Sequence, residues 1–273
     1  MNIDLHVHTT FSDGLLTPEQ IIAMAFKLNL KAIAITDHDT FNGISPALNE
    51  AKKYTELEVI PGIELSTDWA DEDVHILGYY LDYNDMNLRT TLFNFQQQRR
   101  KRVERIIAKL KNMGVDICID DVCAKSQGSS LGRPHIALAL IEKGYANSVQ
   151  EAFENYLNRG KPAYVPREKL TPFNAINVIK KNKGIPVLAH PGLLKNCHTI
   201  NELIEYGIMG IEVIHKDHNQ AQTAYYTKLA LDNNLLLTGG SDSHGENPLL
   251  LGSLDIPFEY FIKLKEAKRA LIV

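Results

Sequence analysis

The chain has 273 residues, 44% hydrophobic and 23% charged, with a formal net charge of −4. That is enough apolar material to bury a large core, which excludes disordered and fibrous classes, and the negative charge argues against a dedicated duplex-DNA binder. No apolar run approaches a membrane span, and polar Asn2 and Asp4 stand where a signal peptide needs basic and then apolar residues; three cysteines without a C-x-x-C pair fit reduced thiols, so the cytoplasm is the expected compartment.

The first apolar run, NIDLHV at 2–7, leads into HTTFSDG. A strand has a side-chain period of two, so His6 and His8 share one face, about 6.6 Å apart, while Leu5 and Val7 take the other. Two imidazoles so placed can share a metal. Further strand-like runs follow at 31–36, 59–65, 74–80, 185–189, 210–214 and 235–239, making seven. Helical patterns lie between several of them, and Thr17-Pro18, Ser45-Pro46 and Thr171-Pro172 each set a capping hydroxyl before a proline. Alternation of strand and helix predicts an α/β fold with a parallel sheet or barrel, whose site lies beyond the carboxyl ends of the strands.

The segment 84–165 breaks the alternation. Leu88, Leu92, Phe95, Val103, Ile106, Ile107 and Leu110 form a helical apolar face ended by Gly114, predicting a small, mostly helical inserted domain between barrel segments 1–83 and 166–273. The basic run RRKRVER at 99–105 reads as the solvated face of that long helix.

Histidines and carboxylates collect at the strand ends: His6, His8 and Asp13 after the first, Asp37-His38-Asp39 after the second, Glu64 in the third, and His75 in the fourth. His190 and His215 follow the fifth and sixth, and Asp242-Ser243-His244 the seventh. One histidine at a strand end is ordinary; nearly every strand delivering one to a single rim is not. Imidazole with carboxylate and no thiolate suits Mn, Fe or Zn, with two or three ions expected and Mn the first choice. Neighbouring ions can generate hydroxide at neutral pH and hold both oxygens of an in-line displacement on phosphorus, which is phosphoester hydrolysis. Asp37 and Asp39 are expected to orient imidazoles. Gly239 and Gly240 are expected either to bend the chain or to let the backbone approach the cluster.

HVHTTFSDG, TDHD, PGIEL with His75, AHPG and GSDSHG, in that order over residues 3–245, resemble the motifs of the polymerase and histidinol phosphatase (PHP) family. The resemblance implies a distorted (β/α)7 barrel holding up to three metals and a metal-bridging hydroxide as nucleophile. It implies that His6, His8, Glu64 and Asp242 hold one ion, that Glu64 bridges to a second with His75 and His190, and that Asp13, His38 and His244 hold a third. Ser243, where many relatives are aromatic, is the one departure and puts no ligand in doubt.

In the insert, SSLGRPHIALAL sets Gly132 and Arg133 at a helix start, and RGKPAYVPR adds Arg159, Lys161 and Arg167. Amides at a helix start and an arginine fork both favour phosphate. These motifs are similar to a bacterial subgroup that removes the 3′-phosphate of 3′,5′-bisphosphonucleotides and trims short 5′-phosphorylated oligonucleotides from the 5′ end. That similarity implies that Arg133, His135 and Lys161 hold the substrate's phosphates under a lid, with His218 a further substrate contact. Histidinol-phosphate hydrolysis is disfavoured by the long insert, amidohydrolase chemistry by Glu64 at the bridging position, and a silent metal sensor by the full set of nine ligands.

Overall fold

The computed structural model describes residues 2–70, 72–126, 131–166 and 170–271. Seven strands, β1 (Asn2–Val7), β2 (Leu30–Ile35), β3 (Glu58–Trp69), β4 (Glu72–Tyr79), β5 (Ile185–Leu188), β6 (Gly210–His215) and β7 (Leu236–Gly240), lie side by side in chain order. The two edges meet at a Val7–Ser243 bridge, with His8 N–H donating to Ser243 O at 3.0 Å and Asp242 N–H to His6 O at 2.9 Å, so the sheet is a nearly closed barrel.

Strand direction departs from simple alternation at one point. β3 and β4 are longer partners than the apolar runs suggested and form an antiparallel hairpin, pairing Ser66 with His75 and Glu64 with Leu77. β4 also runs antiparallel to β5, while the remaining neighbours are parallel. A reversed strand begins at the rim where the others end. That is why His75, early in β4, joins residues that close parallel strands.

Helices α1 (Pro18–Lys27), α2 (Ile44–Ala51), α7 (Pro172–Lys181), α8 (Cys197–Tyr206), α9 (Gln220–Asp232) and α10 (Phe258–Ala270) surround the barrel. Thr17 and Thr171 cap α1 and α7 as expected, each hydroxyl accepting from the N–H three residues on. α2 differs: it is preceded by Gly43, so Ser45 and Pro46 fall inside its first turn and the serine caps nothing. Val7, Ile33, Ile35, Ile63, Leu65 and Val213 pack in one buried cluster with Ile21, Ile44, Ile176 and Leu203 of the helices; Ile3, Leu5, Ile60, Tyr79 and Val187 pack in another with Phe261 and Leu264 of α10.

The segment between β4 and β5 carries α3 (Met86–Asn112), α4 (Ile119–Ser126), α5 (Arg133–Glu142) and α6 (Val149–Ala152), the last continued by a π-helical turn at Phe153–Leu157. Gly114 follows α3 in the left-handed conformation that ends it, at φ +79°. Val103, Ile106, Leu110, Ile136, Leu140, Leu157 and Val165 form an apolar cluster of their own. Among the described residues no helix is long and apolar enough to cross a membrane, and the three cysteines are unpaired.

Candidate metal centre

His6 and His8 do converge: their Nε2 atoms lie 3.1 Å apart in full burial. The hydrogen bonds behind them settle which way their lone pairs point. Glu212 can only accept, so His6 Nδ1 carries the hydrogen that bonds Glu212 Oε1 at 3.0 Å. The Ser12 hydroxyl spends its one hydrogen on Asp37 Oδ1 at 2.6 Å, so it accepts from His8 Nδ1 at 3.3 Å. In the neutral rings both Nε2 lone pairs therefore face each other, 3.1–3.4 Å from Glu64 Oε2 and Asp242 Oδ1. Four acceptors aimed at one buried point need a cation between them.

A second convergence repeats the pattern. His244 Nδ1 donates to Asp242 O at 2.9 Å, which turns its Nε2 lone pair onto Asp13 Oδ1 at 3.4 Å, a buried oxygen with no hydrogen-bond partner. His8 and His38 complete this group. A third contains His38, Glu64 and His75, with Glu64 Oε1 only 2.8 Å from His75 Nδ1 and 3.0 Å from His190 Nε2. The three groups overlap through His8, His38 and Glu64 rather than dividing cleanly. This donor set fits borderline divalent ions, as nitrogen and carboxylate oxygen without thiolate predict.

The electrostatics agree. Burial opposes ionisation of Asp13, Glu64 and Asp242, yet the imidazoles around them hold all three well below the usual carboxylate range. Burial likewise opposes a charged His8, but Asp242 and Glu64 push it up to about 10. The carboxylates thus favour positive charge at His8, whereas burial holds His38 well below the usual imidazole range.

Backbone strain concentrates here. His190, Asp242 and Asp39 all have positive φ, at +29°, +50° and +54°, a conformation costly for non-glycine residues and common where a site over-determines it. Gly240 resolves its two expected roles in favour of close approach: a Cβ there would stand 2.2 Å from His6 Cβ.

Of the flanking carboxylates, Asp37 serves His8 only through Ser12, and it also accepts from Thr9 N–H and Oγ–H, tying down the loop after β1. Asp39 orients no imidazole; it accepts from Ser66 N–H and pairs with Arg99 at 3.2 Å. The solvated reading of RRKRVER holds for Arg100, Lys101 and Arg105 and is corrected for Arg99 and Arg102. Arg99 is only 13% exposed, Arg102 is buried with Nε donating to Val165 O, and both line a cavity of about 110 Å³ with Asp13, His38, His75, Gly132 and Arg133.

Arg133 opens α5, held by Asp73 at 2.9 Å and lying over the Phe153 ring. His135 is buried, its Nδ1 accepting from Gly132 N–H, and it reaches the backbone of Ser12 beside Asp13. Lys161 is exposed in the turn after Asn158, and Arg159 reaches Asp68 at 3.5 Å. His218 uses both ring nitrogens on the backbone, donating to Val213 O and accepting from Gly192 N–H. Arg167 lies outside the described residues.

Sequence reading missed three participants. Glu212, fully buried, sits within the run GIEVI, where a lone carboxylate among apolar residues was itself the signal. Asp4 accepts from Ser241 N–H, Ser241 Oγ–H and Gly252 N–H, joining β1 to the segments after β7. Lys216 donates to Asp242 O at 2.8 Å and lies 3.2 Å from Asp242 Oδ2. His215, expected at the rim, faces the same carboxylate oxygen at 3.5 Å.

Comparison with known proteins fits this geometry. The PHP domain profile matches residues 4–250. The 5′-3′ exoribonuclease Rnm of Escherichia coli is 34% identical over 251 residues, spanning 90% of this chain and 86% of its own. The 3′,5′-nucleoside bisphosphate phosphatase of Chromobacterium violaceum is 30% identical, spanning 89% and 87%. A crystal structure from Bifidobacterium adolescentis, described as a metal-dependent phosphoesterase, superposes with a TM-score of 0.88 at 29% identity, covering 97% of this chain and 96% of that one. The barrel, the ordered motifs and the convergent acceptors thus share one explanation: this chain belongs to the PHP family of metal-dependent phosphoesterases.

Proposed function

We propose that the protein hydrolyses the 3′-phosphate of 3′,5′-bisphosphonucleotides, giving nucleoside 5′-monophosphates. The observation that carries the reading is the cavity of about 110 Å³ where Arg99 and Arg133 face His38, His75 and Asp13. One phosphate belongs at the convergent acceptors and the other at the arginines and the start of α5, where backbone amides and a guanidinium fork favour an anion. The relative from C. violaceum bears the matching name.

In this reading His6, His8, Glu64 and Asp242 hold one ion, Glu64, His75 and His190 a second, and Asp13, His38 and His244 a third. Mn is the proposed metal, with Fe and Zn as the other borderline ions that this donor set accepts. Divalent ions, when bound, supply polarisation of the phosphoryl oxygens and activation of water. The chain's own residues aim the donors and offset charge: Glu212 and Ser12 fix the lone pairs of His6 and His8, Lys216 holds Asp242, and Arg133 binds the non-reacting phosphate. A bond from water oxygen to phosphorus forms, the bond from phosphorus to the ribose 3′-oxygen breaks, and that oxygen leaves with a proton. Segment 84–165 serves as the inserted lid domain on the barrel formed by 1–83 and 166–273, with His135 and Lys161 as further phosphate contacts. The cytoplasm is the proposed compartment.

A second substrate, a short 5′-phosphorylated oligonucleotide trimmed from its 5′ end, uses the same site; the 34% identity to an exoribonuclease favours it. Phosphate release from 3′,5′-bisphosphoadenosine with Mn²⁺, in wild type beside Asp242→Ala, tests the main reading. Release by the wild type alone supports it. An inert wild type overturns the nucleotide assignment and turns attention to short RNA.

A further inference from the structure

We infer that the hollow between α3 and the loop after β2 is a subsite for the later nucleotides of a single-stranded oligonucleotide; this rests on the phosphoesterase reading above. The hollow, about 300 Å³, is lined by Thr40, Asn42, Arg89, Thr90, Phe93 and Gln96 among others. It is separate from the cavity that holds Arg133.

Helix periodicity makes it a designed-looking surface rather than a scatter of side chains. Arg89, Phe93 and Gln96 are spaced i, i+4 and i+7, which sets them on one face of α3. Ten residues on from Arg89 and turned about 80° from it around the helix, Arg99 lines the catalytic cavity. The stripe from Arg89 to Arg99 is about 15 Å long at the helical rise, room for about four stacked nucleotides at the 3.4 Å spacing of a single strand.

The hollow is joined to the site through Gln96 as well. Gln96 Nε2 donates to Asp39 O at 3.1 Å, and Asp39 follows His38 directly. A small hollow lined by Asp39, Ser66, Phe95 and Arg99 adjoins the catalytic cavity, sharing Arg99 and Arg102 with it. Arg99, which pairs with Asp39, and Gln96, which bonds the Asp39 carbonyl, give a chain leaving the catalytic cavity a line of side chains toward the hollow.

The chemistry of the wall suits nucleic acid. Phe93 is 56% exposed and borders the hollow. An exposed aromatic face stacks any base regardless of sequence. Arg89 is exposed and bonds only neutral acceptors, Tyr83 O and Asn42 Oδ1, among the described residues, so its charge is open to a phosphate. Stacking ring and uncompensated cation, one helical turn apart, are the two elements of sequence-tolerant single-strand binding.

The test compares a long and a short ligand. Binding of a fluorescein-labelled, 5′-phosphorylated RNA pentamer with uncleavable methylene-phosphonate linkages is followed by anisotropy on the Mn²⁺-loaded protein, for wild type, Phe93→Ala, Phe93→Leu, Phe93→Trp and Arg89→Ala. Loss of the ring or the cation is expected to weaken pentamer binding about 10-fold, with Trp retaining it and Leu not, while KM for 3′,5′-bisphosphoadenosine shifts less than about 2-fold. Unchanged pentamer binding, an equal loss on the mononucleotide, or full rescue by Leu would each overturn the subsite. Because anisotropy needs no turnover, an inert enzyme would sink the functional reading without deciding this one, and thermal melting of each variant separates a folding loss from a binding loss.

Discussion

Glu212 accepts the Nδ1 hydrogen of His6 at 3.0 Å, and its other oxygen accepts from His190 N–H at 2.7 Å, with Glu212 and His6 fully buried. One carboxylate thus orients an imidazole and pins the strained backbone of another rim histidine. Glu212→Gln keeps the shape but offers one acceptor where two are needed. Its expected effect is a 10–100-fold loss of Mn²⁺ affinity, about the usual cost of removing such a partner, read by competition with a fluorescent chelator. Unchanged affinity would show that His6 is held by packing alone.

Asp242 touches His6, His8, His215, His244 and Lys216. Asp242→Ala is expected to drop turnover on every phosphoester below about 1% of wild type, a larger loss than the 10–100-fold typical of an outer partner. Metal content by mass spectrometry should fall with it. Full metal content together with full activity would remove Asp242 from the centre.

Arg133 should discriminate between substrates rather than power the reaction. Arg133→Ala is expected to raise KM or lower kcat for phosphorylated nucleotides by about 100-fold, as loss of a charge-assisted phosphate contact implies, and to spare a small generic phosphodiester. Equal losses on both would contradict its assignment to the non-reacting phosphate.

Metal loading should be coupled to protons. Burial alone would lower His8, yet Asp242 and Glu64 push it up to about 10 in the metal-free chain. Its folded pKa therefore exceeds the unfolded value of about 6.5. The stability it contributes is complete below that unfolded value and is lost as pH rises through about 10. A divalent ion must displace the same proton, so Mn²⁺ affinity is expected to climb with pH across this window. Calorimetry in two buffers of different ionisation enthalpy measures the release directly, and a heat independent of buffer would refute it.

Gly240 is where backbone meets the His6 side chain, since an added Cβ would stand 2.2 Å from His6 Cβ and 2.6 Å from His6 N. Gly240→Ala must therefore move β1 or β7. A destabilisation of at least about 1–3 kcal/mol is expected, the range for overpacking a tight interior, visible as a lower urea midpoint. An unshifted midpoint would mean that the barrel seam gives freely.

Much of this molecule is legible in local sequence. The period-two runs, the Thr17 and Thr171 caps, Gly114 after α3 and the HVH motif each depend on residues a few positions apart, so the sequence by itself determined the strands, the starts of α1, α5 and α7, and the histidines and carboxylates at the rim. Three features needed the closed barrel. The reversal of β4 brings His75 to Glu64 and is a choice of pairing partner that no short window encodes. Glu212 becomes an orienting group only because β6 lies where β1 can face it, 206 residues away along the chain. Arg99 turns inward because α3 packs across the rim, although its own neighbours read as a solvated run. Local propensity and capping act within a turn or two of chain, whereas strand direction, burial of a charge and the face a helix presents are decided by what folding sets opposite them.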